Sequence, residues 1–110
     1  GVLPLGVLRR LEVARALALS PRLLLLDEPL GGLAPEEAAA LASLIGSLRD
    51  EGLSVVLIEH HMRLAMALAD AVVVLDHGEK IAEGPPAVVR RDPRVIAAYL
   101  GQAEGEQPRA

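Results

Sequence analysis

The sequence predicts an α/β fold, a layered core of parallel strands and helices, on three observations. Two short, uniformly apolar runs, Leu23 to Leu26 and Val55 to Ile58, are separated by a longer stretch with helical spacing. Both runs end abruptly in ionisable residues, Asp27-Glu28 after the first and Glu59-His60-His61 after the second. Prolines and glycines stand at the joints, as at Ser20-Pro21, Gly31-Gly32 and Gly52.

Gly1 to Leu8 reads as a loop, with Pro4 and Gly6 close together. A helix is expected from Val7, with Leu11, Ala14, Leu17 and Ala18 on its buried face. Ser20-Pro21 ends it, because the residue before proline avoids the helical region. Leu23 to Asp27 reads as a strand buried on both faces, and Pro29 then turns the chain out of the sheet. Leu30 to Ala34 is a glycine-containing loop, and Pro35 suits the first turn of a helix from Glu36 to about Asp50. Leu41, Leu44, Ile45 and Leu48 give that helix its apolar face, with Glu36 and Glu37 favourable at its N-terminus. Ser54 to Ile58 is a second buried strand, followed by a short helix over Met62 to Ala69. Ala71 to Leu75 and Lys80 to Glu83 flank Asp76-His77-Gly78 and read as a C-terminal hairpin. Gly84-Pro85-Pro86 opens a short helix ending near Arg91, and Asp92-Pro93 opens another through Leu100. Residues 102–110 read as a flexible tail.

The 110 residues make one modest domain or a piece of a larger one. Hydrophobic residues make up 52%, enough for a core, but Tyr99 is the only aromatic, so that core is aliphatic. A net charge of -4 gives nucleic acid or an anionic membrane no electrostatic attraction. Without cysteine there is neither a disulfide nor a thiolate metal site. No apolar run reaches the ~18 residues of a membrane span, so a soluble chain without direct membrane insertion is expected. The chain opens at Gly1 in mid-pattern, and truncation or processing is the expectation.

Asp27 and Glu28 leave the strand at its C-terminal edge, where open α/β sheets place ligands. An acidic pair beside a dry sheet is costly unless partnered. A hydrated Mg²⁺ on a nucleotide is an economical partner for one acid, with the other left to act on water. The plainer reading is a strand that ends in a solvated acidic turn. His61 and His77 read as a solvated helix start and a hairpin turn, and nothing completes a metal-ligand set around the three histidines.

Asp27-Glu28 and His60 at the ends of two strands, with a glycine loop after the first, resemble the C-terminal half of an ABC-type ATPase nucleotide-binding domain. Leu23 to Glu28 resembles its Walker B strand and catalytic glutamate, Gly31 to Ala34 its D-loop, and His60 its switch histidine. Leu3-Pro4-Leu5-Gly6-Val7 occupies the place of the LSGGQ signature. Arg9 to Leu17, Ile58-Glu59-His60 and the ending Asp92 to Ile96 with Ala98 to Gly101 resemble the ATP-binding subunits of branched-chain amino-acid importers.

The resemblance implies a partial P-loop NTPase domain over residues 1–101, with ATP and Mg²⁺ as cofactors. Asp27 would hold Mg²⁺ through water, Glu28 would act as general base, and His60 would contact the γ-phosphate. Gly6 and Leu3 would belong to the signature, Gly6 offering its N–H to a nucleotide on the opposite subunit. The implied partners are membrane permease subunits and a second ATPase subunit, with no nucleic acid. The implied location is cytoplasmic, peripheral on the inner face of the cell membrane. The sequence departs from the pattern at Pro4, Leu5 and Val7 of the signature and at Ala34 of the D-loop. It contains no G-x-x-x-x-G-K-[ST] phosphate loop, so the 110 residues alone are not expected to hydrolyse ATP. A non-catalytic ABC-like interaction module and an ABC ATPase outside transport remain the alternative readings.

Overall fold

The computed structural model describes residues 4–100, which form two compact units that divide between His61 and Met62. The expected tail at 102–110 lies outside the described residues.

The first unit contains α1 (Leu5–Leu17), β1 (Leu23–Asp27), α2 (Pro35–Asp50) and β2 (Ser54–Ile58). Helix α1 starts at Leu5, two residues before the expected Val7, and the carbonyl of N-cap Pro4 accepts from Leu8 N at 3.0 Å. Proline suits this boundary because it has no N–H to leave unpaired. The helix ends as expected before Pro21, with Ser20 in the left-handed region (φ 53°).

The expected face of α1 is not the buried one. Gly6 and Val13 are buried, whereas Leu11, Ala14 and Ala18 are exposed and Leu17 is half-buried. Apolar residues lie on several sides of this helix, so their spacing does not select a face; packing against α2 does. On α2 the expected stripe holds in part, with Leu41 and Ile45 buried and Leu44 and Leu48 half-buried. Ala38 and Ala42 complete the i, i+3, i+4, i+7 pattern.

β1 and β2 pair in parallel, Leu23 opposite Ser54 through Asp27 opposite Ile58. Burial of these strands on both faces is corrected by the structure. Leu24 is buried, but Leu23 (57% exposed), Leu25 (63%), Val56 (47%) and Ile58 (48%) lie open on the other face. Side chains alternate along a strand, so a run of four leucines conceals which face is covered.

The second unit contains α3 (Met62–Leu68), β3 (Val72–Asp76), β4 (Glu79–Gly84), α4 (Pro86–Val89), α5 (Pro93–Val95) and a π-helical turn over Ile96–Leu100. The last expected helix is therefore a short α segment that widens into a π turn. β3 pairs antiparallel with β4, as the hairpin reading required, and His77 (φ 51°) and Gly78 (φ 80°) both take the positive φ of a type I′ turn. Val74, Val89 and Val95 form the core of this unit, with Met66, Ile81 and Tyr99 packed against it. The Tyr99 hydroxyl donates to the Leu75 carbonyl, giving the aromatic residue a polar anchor.

Asp92 caps α5 by accepting from Arg94 N at 2.8 Å. That backbone hydrogen bond lowers its carboxyl pKa, as the hydrogen bond and charge of Lys80 lower that of Glu83. A depressed carboxyl stabilises the fold above its unfolded pKa and stops doing so as pH falls through its folded one. Glu83 is exposed and Asp92 is half-buried at the surface, so each effect is small and weakened by salt. Asp92→Asn should flatten the fall in melting temperature below about pH 4; an unchanged acid limb would rule the contribution out.

Candidate active site

Parallel pairing of β1 and β2 sets the ends of the two strands side by side. The ladder runs one bond past the strands, Glu28 N donating to Ile58 O at 2.7 Å. Glu28 sits in the left-handed region at φ 50°, an unfavourable conformation for a residue with a Cβ. Such strain persists only where the surroundings hold it, and it concentrates at functional sites. Two features hold it here, the bond to Ile58 and the turn closed by Gly31 N donating to Glu28 O at 3.2 Å. Pro29 and Leu30 are buried, so the chain leaves the sheet inward.

The structure brings Glu28 and His60 together. His60 Nε2 lies 3.0 Å from Glu28 Oε2, and the two side chains are 72% and 49% exposed. The pair is thus open to a ligand, with a carboxylate and an imidazole converging on one point. This geometry suits proton transfer to the carboxylate and hydrogen bonding from the ring.

Asp27 ends β1 opposite Ile58, with its side chain exposed. Its carboxylate makes no hydrogen bond or ion pair to another described residue. One unpaired carboxylate fits Mg²⁺, which keeps several waters and binds through one or two carboxylates plus substrate phosphates. Among the described residues no group of three or more His, Asp or Glu forms an all-protein cage.

Gly6 is buried at the second position of α1. A Cβ there would come within 2.7 Å of Glu37 Oε2, so only glycine fits unless Glu37 moves. Its neighbour is therefore Glu37 rather than Glu28 or His60. Glu37 Oε1 accepts from Ala34 N at 3.0 Å, and Ala34 has no side-chain acceptor to return the bond. Leu3 lies outside the described residues.

His61 is exposed at the start of α3, and His77 is 93% exposed in the hairpin turn beside Asp76. Glu59, Arg9 and Glu37 appear in the sequence reading without any role at the site, and the structure gives each one. Glu59 accepts from Leu30 N, Arg9 Nη2 donates to Gly31 O at 3.3 Å, and Glu37 backs Gly6. Of these only Glu59 carried a signal, as the acid between the end of a strand and His60.

The family model "Branched-chain amino acid ATP-binding cassette transporter" matches residues 79–105. Over 104 residues the chain is 48% identical to the high-affinity branched-chain amino acid transport ATP-binding protein BraF of Pseudomonas aeruginosa, covering 94% of this chain and 41% of that protein. It is 44% identical over 99 residues to the corresponding protein LivG of Escherichia coli, covering 89% and 39%. The crystal structure of an ATP-binding cassette of an ABC transporter in its ADP conformation superposes with a TM-score of 0.79 at 31% identity, covering 92% of this chain and 41% of that one. The chain thus spans about two fifths of the length of the relatives it matches. Among the described residues no helix is long and apolar enough to cross a membrane. With a mixed α/β architecture and likeness along nearly all of its own length, the chain belongs to the ATP-binding cassette family, as a partial P-loop NTPase domain.

Proposed function

We propose that this chain is the Walker B, D-loop and switch-histidine segment of an ATP-hydrolysing subunit of an ABC importer for branched-chain or related amino acids. The observation that carries the reading is Glu28, strained at the end of β1, with His60 Nε2 3.0 Å from its carboxylate. In a complete subunit with a phosphate-binding loop, Glu28 takes a proton from the water attacking the γ-phosphorus. The ring of His60 donates to the γ-phosphate and keeps the water and Glu28 in line. Asp27 would hold Mg²⁺ through water, and the bound ion would supply charge that offsets the phosphates. Gly6 and Leu3 belong to the signature face, which meets nucleotide held by a second ATPase subunit. The assembled pair drives permease subunits from the cytoplasmic face of the membrane.

The test is transport. The complete subunit, reconstituted with its permease in vesicles, should accumulate leucine, isoleucine or valine only when Mg-ATP is supplied. Hydrolysis without uptake of these amino acids would exclude the substrate class and leave the ATPase standing.

One observation favours the second reading, a non-catalytic ABC-like module. Pro4 caps α1 without a side-chain hydrogen bond and has no hydroxyl or N–H to offer a phosphate. Absence of nucleotide hydrolysis by the complete subunit would select it.

A further inference from the structure

Three backbone N–H groups converge on the carboxylate of Glu59. Oε2 accepts from Leu30 N at 3.0 Å, and Oε1 accepts from His60 N at 2.9 Å and His61 N at 3.2 Å. Leu30 is 29 residues away along the chain and only 2% exposed. Hydrogen bonds to a charged acceptor are about twice as strong as neutral ones, so this is a firm three-way tie.

What it ties is specific. The Leu30 loop leaves β1 through Glu28, and the other loop leaves β2 through His60. Past Glu28 N and Ile58 O the parallel ladder has ended, and nothing in the ladder sets the spacing of the two loops. The Glu59 carboxylate spans that gap. Arg9 holds the first loop from another direction, through Gly31 O at 3.3 Å. Gly31 N in turn bonds Glu28 O, so the anchored segment includes the backbone of Glu28 itself.

We propose that Glu59 is a positioning residue for the Glu28–His60 pair, its carboxylate holding the backbones of both loops at a fixed separation. It acts through those two residues and not on nucleotide or water. Both oxygens are needed. Glutamine keeps one acceptor oxygen and therefore one loop, and alanine keeps neither. The proposal rests on the ATPase reading above.

The test uses the complete subunit and the variants Glu59→Ala, Glu59→Gln, His60→Ala and the Glu59→Ala/His60→Ala double variant. Glu59→Ala should lower kcat about ten- to a hundredfold, the scale of misplacing reacting groups by up to an ångström, while leaving KM for ATP nearly unchanged. Glu59→Gln should recover part of that loss. In the His60→Ala background the same alanine should cost less, because the part of its effect relayed through His60 is already lost and only the part through Glu28 remains. An equal loss in both backgrounds, or a change in KM alone, would overturn the proposal. Hydrogen exchange reads the tie without any turnover. Glu59→Ala should speed exchange at the Leu30 and His60 amides about tenfold or more, and Glu59→Gln should speed it less. Unchanged exchange at both amides would overturn the positioning role whether or not ATP is hydrolysed. A wild-type subunit that hydrolyses no ATP but shows the exchange response would instead remove the ATPase reading.

Discussion

Glu28→Gln in the complete subunit should abolish turnover while ATP still binds. Glutamine matches glutamate in size and keeps a carbonyl oxygen that can face His60 Nε2, 3.0 Å from the carboxylate in the native structure. What it lacks is basicity. Loss of a general base costs about 10²- to 10⁴-fold in rate, well beyond any packing effect at a side chain that is half-exposed. Binding should survive, because the carboxylate acts on water and the affinity for nucleotide resides mainly in its phosphate cradle. Steady-state hydrolysis and equilibrium nucleotide binding, measured on the same preparation, separate the two effects. Turnover at the wild-type rate would remove Glu28 from the chemistry, and the strained backbone at φ 50° would then need another explanation.

The second large effect is on stability. Among the described residues Leu41 is the largest fully buried side chain, 1% exposed on the inward stripe of α2. The other buried apolar residues of its unit are Val13, Leu24, Leu30, Ala38, Ala42 and Ile45, with no aromatic among them. A core built from such small residues has little to move into a vacated space. Leu41→Ala should therefore cost about 2–5 kcal/mol, transfer and cavity terms together. Against a domain stability of about 5–15 kcal/mol, that is a large share. Leu41→Met conserves volume and should cost less than about 1.5 kcal/mol. Denaturant unfolding of the complete subunit compares them through the shift in midpoint. Equal shifts for alanine and methionine would mean that this position is not a packed core site.

Some of this was readable locally. The hairpin was legible from Asp76-His77-Gly78 between two strand-like runs, whereas its type I′ form, with positive φ at His77 and Gly78, came from the structure. The strand ends at Asp27 and Ile58 are legible because proline and charge stop a buried ladder. The face of α1 was not legible. Its leucines and alanines surround the helix, and the choice of Gly6 and Val13 as the buried pair belongs to the packing against α2. Nor was the open face of the β1–β2 sheet, because a run of identical apolar residues reads the same whether one face is covered or two.

The candidate site divides in the same way. Asp27, Glu28 and His60 stand out in the sequence because ionisable groups directly after dry strands are chemically conspicuous, and their spacing carries the family likeness. That alone determined the α/β class, the order of the elements and the family. Only the tertiary structure decided that Glu28 and His60 meet, that Glu28 is strained, and that Glu59 reaches across to Leu30. The reason is one of range. Turn chemistry and hydrophobic period act over a few residues, whereas the register that sets Asp27 opposite Ile58 joins residues about thirty apart. A shift of that register by one residue would leave every local signal in place and separate the pair.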